Sequence, residues 1–388
     1  MGDLVSYIGE RGGVDLLRRP FGEVDSLVLA QLSYLNFKPC GHCAAPCDKT
    51  LRGLLHGCYD ESFLENTWEP QRNEQLLRAA ADSVRFGGVR ISGFVNAVSP
   101  EEQKQFSAIT FHLPGNRLYL AYRGTDATLV GWKEDFNMTL VSHIPAQRQA
   151  LSYLEETARR FPHHRLILGG HSKGGNIAVY AAIMASAALR QRIAAVYDHD
   201  GPGFQPELLR QSAYYEMLPR IHKTIPQSAI IGLMMAQEAR YRVVDCRHFG
   251  PFQHDPYTWK VEGDHFVTVE EVDGLSRHFN RSINTFLRET DPETRRLFVD
   301  TVYEFFSATR AETVYDLLKN WHTTLPALLE AVRTTDPTVL AMLKETLRQL
   351  TRSFAVDETA RAEERARVKE QAAEFGQWLK GLLEEERK

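Results

Sequence analysis

One stretch near the middle of the chain, LILGGHSKGGNIAVYAA at residues 166–182, restricts the fold more than any other. Arg165 to Leu168 is a short apolar run of strand type, and the residues after Gly174 are apolar and alanine-rich, as in a helix laid closely on a sheet. The chain must reverse between them within Gly170-His171-Ser172-Lys173-Gly174, a G-x-S-x-G pattern. So sharp a turn forces its middle residue into a strained positive-φ conformation and leaves no room for larger side chains at Gly170 and Gly174. It also lifts the Ser172 hydroxyl above the strand end, at the positive end of the helix, where the Lys173 N–H can donate to a developing oxyanion. Ser172 is therefore a candidate nucleophile. The pattern is short, and its specificity comes from the strand before it and the helix after it.

The surroundings supply a sheet for this turn. Phe94–Val98, Phe106–His112 and Arg117–Tyr122 have strand character, and Pro114-Gly115-Asn116 marks a hairpin turn between the last two. Beyond them helices near 146–160, 174–189 and 205–217 alternate with strands near 164–169, 193–198, 220–225 and 241–245. Alternation of this kind implies βαβ crossovers, hence an α/β fold with a mixed, mostly parallel sheet and helices on both faces. The hairpin would form its antiparallel edge. Residues 1–88 form an N-terminal helical segment, with helices near 23–37 and 74–86 and an irregular cysteine-rich insertion at 38–62. Residues 89–275 form the α/β core, and 276–388 a helical C-terminal extension whose last part, from 357, is mostly charged.

Composition narrows the partners. A formal net charge of −4 over 388 residues argues against nucleic acid. No run reaches the roughly 18 apolar residues that span a bilayer, and the start lacks a secretory pattern. Gly2 and Ser6 fit the short myristoylation pattern, which recurs too often by chance to override the expectation of a cytoplasmic protein. Five cysteines, an odd number, suit a reducing compartment. Cys40, Cys43, Cys47 and Cys58, near His42 and His56, are the one group that could hold a structural zinc, although their spacing is not that of a paired C-x-x-C ribbon. Unpaired thiols in an irregular insertion are the simpler expectation, with no metal bound.

A second element fits the elbow. LYLAYRGT, residues 118–125, is a strand ending in R-G-T, in the place from which this architecture draws its second oxyanion donor, so Thr125 and Lys173 are the candidate hole. GWKEDF at 131–136 predicts a short helix walling the site, with Arg123 and Asp135 as a supporting ion pair. The Lys173 side chain is either solvated or a cation favouring an anionic or phosphate-bearing substrate. The combination Y-R-G-T…GWKEDF…GGHSKGG resembles class 3 lipases, with their F-R-G-T/S…N-W…D-L and G-H-S-L-G-G. With VDSLVLAQLSYLNF, GHSKGGN, DGPGF and QHDPYTW it is similar, more closely, to a bacterial family of lipase-like proteins known mainly as a domain of unknown function. The likeness covers roughly residues 20–310. It implies an α/β-hydrolase fold and serine-ester chemistry, but no particular substrate. Chemistry of this kind acts on a small-molecule ester or lipid and requires no cofactor.

The remaining groups follow from chain order, Ser then acid then His. His254, in a loop after the last sheet strand, matches the H-x-x-Y of class 3 lipases; His248 and His265 compete with it. The acid is harder to place. Where class 3 lipases carry D-I-V-P, this chain has Thr224-Ile225-Pro226-Gln227-Ser228 with no carboxylate. Asp200, after the strand next to the elbow strand, is the best substitute, with Asp198, Asp245 or Ser228 as alternatives. A chain lacking the acid would be a non-catalytic binding or scaffold protein, and a regulator built on the cysteine cluster is a third, weaker reading.

Overall fold

The computed structural model describes residues 2–37, 49–65, 67–99, 101–125, 129–248, 250–291, 293–297, 300 and 301, with 337, 340 and 341. Cys40, Cys43, Cys47, the charged segment from 357 and, apart from residues 337, 340 and 341, the C-terminal helices beyond residue 301 lie outside these.

Strands β1 (Arg90–Ser99), β2 (Lys104–Leu113), β3 (Arg117–Tyr122), β4 (Arg165–His171), β5 (Ile193–His199), β6 (Ile221–Pro226) and β7 (Tyr241–Val244) lie side by side in chain order. The hairpin pairs β1–β2–β3 are antiparallel, and β3 through β7 are parallel. A small hairpin, β8 (Val261–Glu262) with β9 (His265–Phe266), stands apart, and β10 (Thr268–Val269) adds an antiparallel strand beyond β7. The far edge is thus antiparallel too, which the short, polar-flanked Thr268–Val269 did not announce. This mixed sheet with its βα crossovers and serine elbow is an α/β-hydrolase fold.

The period of two along each strand divides the core. Leu118, Leu120 and Tyr122 of β3, with Leu166 and Leu168 of β4 and Val196 of β5, face one core. Tyr119, Ala121 and Ile167 face the other. Helices α1 (Leu4–Arg11), α2 (Glu23–Leu32), α3 (Leu51–Gly57) and α4 (Pro70–Asp82) cover the second face. Helix α5 (Leu129–Asn137) follows β3, and α6 (Pro145–Arg160), α7 (Lys173–Met184), α8 (Ala187–Arg192), α9 (Pro206–Leu209) and α10 (Ser212–Met217) supply the first. Helix α11 (Gly274–Glu289) follows, its Asn280 and Asn284 donating to the carbonyls of Ala229 and Leu233.

Three local expectations change. Residues 38–62 are not irregular throughout: Leu51, Leu54 and Leu55 recur at helical spacing, bury, and form α3 with Thr50 capping Gly53. The helix expected over 174–189 breaks at Ala185, where Ser186 restarts α8 by accepting from the Leu189 N–H. The helix expected over 205–217 splits into α9 and α10.

Every residue of α2 is buried, so its polar groups need partners inside. Arg85 meets Asp25 with two hydrogen bonds of 2.6 and 2.5 Å, and Asp25 also accepts from the Tyr7 hydroxyl at 2.7 Å and the Gly22 N–H at 2.9 Å. Ser26 bonds Tyr119 and the Nε2 of His199, which meets Thr224 through Nδ1. Burial, with the charge of His222 close by, lowers the His199 pKa to about 3. Gly2 pairs with Val261, and Ser6 donates to Asp3, so both positions of the lipidation pattern have structural work. Among the described residues no helix is long and apolar enough to cross a membrane.

Candidate active site

Strand β4 runs into the elbow. Ser172 has φ 58° and ψ −130°, the mirror image of extended backbone, and is held there by its N–H on the His199 carbonyl at 2.9 Å. A Cβ on Gly174 would lie 2.1 Å from the Tyr122 carbonyl oxygen, and one on Gly170 would lie 2.4 Å from the Gly174 backbone, so the turn admits neither. Helix α7 starts at Lys173 with its first N–H groups beside the serine. The Ser172 side chain remains partly accessible.

The structure brings Ser172, His254 and Asp200 into one line. Ser172 Oγ stands 3.0 Å from His254 Nε2, and His254 Nδ1 stands 2.6 Å from Asp200 Oδ2. A carboxylate only accepts, so Nδ1 carries the proton and Nε2 is left to accept from the serine hydroxyl. Asp200 is fully buried on the turn after β5, itself at φ 55°. Its second oxygen accepts from the Gly232 N–H at 3.0 Å, and a Cβ on Gly232 would sit 2.2 Å from that oxygen. The close approach therefore requires glycine.

The alternatives are engaged elsewhere. Asp198 pairs with Lys223 at 3.0 Å and accepts from the Gly201 N–H. Asp245 pairs with Lys260 at 2.7 Å. Ser228, at the position where a carboxylate was missing, donates to Asp273 at 2.5 Å. His265 is exposed beside Glu23 and Asp264, and His248 is exposed.

The His254 loop is pinned from several sides. His171 Nε2–H donates to the His254 carbonyl at 2.9 Å, and its ring lies 4.6 Å from the His254 ring. Burial, with His254 and His199 nearby, holds the His171 pKa well below the ordinary value, so the ring is neutral and a donor through one nitrogen. Trp259 Nε1–H donates to the Gln253 carbonyl, whose side chain accepts from the Ser228 N–H. Asp255 pairs with Arg72 at 3.0 Å, and burial pushes its carboxyl up to about 6. His171, Gln253 and Gly232 had no signal in the sequence, because each acts on a residue far along the chain.

The R-G-T loop lies against the elbow: a Cβ on Gly124 would be 3.3 Å from Ser172 Cβ. The Thr125 hydroxyl donates to Asp135 Oδ2 at 2.5 Å. Asp135 thus supports this loop through Thr125, while Arg123 donates to Asn96 at 3.0 Å. The expectation for the Lys173 side chain is overturned. It is neither solvated nor aimed at a substrate: Nζ is fully buried, 2.9 Å from Glu134 Oε2 and 3.9 Å from Asp135. The partner carboxylate on α5 decides its direction.

For a metal, the described residues hold no group of three or more His, Cys, Asp or Glu that could bind one. Of the cysteine cluster only Cys58 is described, and it is disulfide-bonded. A disulfide sulfur is not the thiolate a zinc ion needs, and the expectation of unpaired thiols fails there.

Residues 80–304 match the model of a protein family described as Mbeg1-like. No curated protein matches the chain. Among solved structures it is similar to M37 lipase, at 14% identity and TM-score 0.36 over 55% of this chain and 70% of that one. It is similar also to Rhizomucor miehei lipase in its propeptide complex, at 13% and 0.34 over 56% of this chain and 65% of that one. A lipase from Rhizopus microsporus var. chinensis aligns at 13% and 0.32 over 56% of this chain and 70% of that one.

Proposed function

We infer that this chain, which belongs to the Mbeg1-like family, is a serine hydrolase that cleaves a carboxylic ester or thioester of a small molecule or lipid. The observation that carries the reading is the line Asp200–His254–Ser172, with hydrogen-bond distances of 2.6 and 3.0 Å, at a serine held in a strained elbow. His254 Nε2 takes the Ser172 proton as Oγ attacks the acyl carbon, and Asp200 stabilises the imidazolium that results. The N–H groups of Lys173 and Thr125 receive the negative oxygen, the leaving group departs with the proton from His254, and water repeats the sequence on the acyl-enzyme. No step calls for a cofactor. The alternative, a non-catalytic scaffold, drew on a missing acid at Ser228 and on the long helical C-terminal extension; a buried Asp200 in contact with His254 supports the hydrolase reading over it.

Labelling with a fluorophosphonate probe tests the proposal. The wild-type chain should be labelled and Ser172→Ala should not. Equal labelling of both, or no labelling of the wild type, would overturn it.

A further inference from the structure

An oxyanion donor at residue 173 needs only a backbone N–H. Any solvated side chain would serve there, yet this chain has a lysine whose ammonium is fully buried. Burying a charge is costly unless every donor is met, and here each of the three is. Nζ donates to the Gln105 carbonyl at 3.0 Å, to Gln105 Oε1 at 2.6 Å and to Glu134 Oε2 at 2.9 Å. Glu134, also fully buried, accepts in turn from the Gln105 N–H and from the Ala146 N–H, each at 3.0 Å. One ion pair therefore joins β2, α5, the start of α6 and the start of α7.

A pair like this adds little to stability over well-packed apolar groups, so its position is the property to explain. The next residue on α5 is Asp135, which holds the Thr125 hydroxyl and lies 3.9 Å from the same ammonium. Both candidate oxyanion donors thus hang from one buried cluster, residue 173 by its own side chain and residue 125 through Asp135. Burial pushes the Asp135 carboxyl up to about 6, against the pull of the Lys173 ammonium and the Thr125 hydroxyl, so the ammonium also helps keep that anchor charged.

We propose that the Lys173 side chain, paired with Glu134, is a positioning group that sets the spacing of the oxyanion hole. The proposal rests on the serine-hydrolase reading and goes beyond it in assigning work to a side chain that touches no reacting atom. It explains why lysine, the residue least suited to a buried site, follows the nucleophile.

The test is Lys173→Met/Glu134→Gln, in which the two charges of the buried pair vanish together and only Asp135, 3.9 Å away, loses a neighbouring cation. Hydrolysis of p-nitrophenyl butyrate and the rate of fluorophosphonate labelling are measured with folding followed by circular dichroism. A folded double variant should lose about 10- to 100-fold in kcat with KM little changed, short of the roughly 10²–10³ lost with a whole oxyanion donor. Its labelling rate should fall in parallel. If the double variant does not fold, Glu134→Asp, which keeps both charges and shortens the tether by one methylene, carries the same expectation in milder degree. Wild-type kcat and labelling in a folded variant would overturn the positioning role while leaving the hydrolase reading intact. A wild-type chain inert to both reagents would remove both.

Discussion

Ser172 is the residue whose replacement should separate backbone strain from chemistry. At φ 58° and ψ −130° it occupies a region that glycine enters freely and that a β-carbon makes costly. Such a conformation costs roughly 1–3 kcal/mol. Ser172→Ala keeps the strain and loses the hydrogen bond to His254, worth about 0.5–1.5 kcal/mol. Ser172→Gly loses the same bond and releases the strain, against roughly 0.4–1 kcal/mol of added freedom in the unfolded chain. The glycine variant should therefore be more stable than the alanine variant by about 1.3 kcal/mol, the difference of the midpoints of those ranges. Urea unfolding of the two at one pH, fitted with a common slope, measures it, and both should be inactive. A glycine variant no more stable than the alanine variant would show that the elbow stores no strain, and the account of its geometry given above would be wrong.

Asp200→Asn should lower kcat by about 10⁴ with the fold intact, by analogy with triad aspartates, since it reverses the tautomer that His254 presents to Ser172; a loss of less than tenfold would take the acid role from Asp200. His199 makes the fold acid-sensitive. Its folded pKa of about 3 lies below the ordinary 6.5, so the stability linked to it is fully present above pH 6.5 and drains away as pH falls toward 3. At 1.36 kcal/mol per pH unit the whole span is worth about 5 kcal/mol at most. The urea midpoint should decline between pH 6.5 and 4.5 in the wild type and less steeply in His199→Gln; parallel declines would clear His199 of the effect. Arg85→Met should cost about 3–5 kcal/mol by leaving the Asp25 carboxylate buried without its cation, and a thermal shift of the purified variant within error of wild type would contradict that.

Local features of the fold were the readable ones. The elbow could be located because the strand, the glycines and the helix that define it are neighbours in sequence. Asp200 could be named because it follows the strand beside the elbow strand, and strand order is what alternation predicts. What selects it over Asp198 is not local. Lys223 occupies Asp198, while the Gly232 N–H fixes Asp200, and neither contact leaves a trace in spacing. Lys173 was misread for a related reason: lysine is almost always exposed, and only Glu134 and Gln105, brought in by other elements, make a buried ammonium tolerable. Helix α3 was hidden by Gly53 and Gly57, which dilute a leucine spacing that burial then enforces.

The four N-terminal helices have a consequence for any attempt to trim the chain. The match to the family model begins at residue 80, yet Leu4, Val24, Leu27, Leu54, Leu76 and Leu77 belong to the same packed cluster as Ile109, Tyr119 and Ile167 of the sheet. A fragment cut where the likeness starts would present a bare apolar sheet face to water and strand Tyr119 and His199 without the Ser26 hydroxyl they share. The stretch that matches the family model and the stretch that must fold together are different lengths of chain here, and the shorter one is a recipe for aggregation.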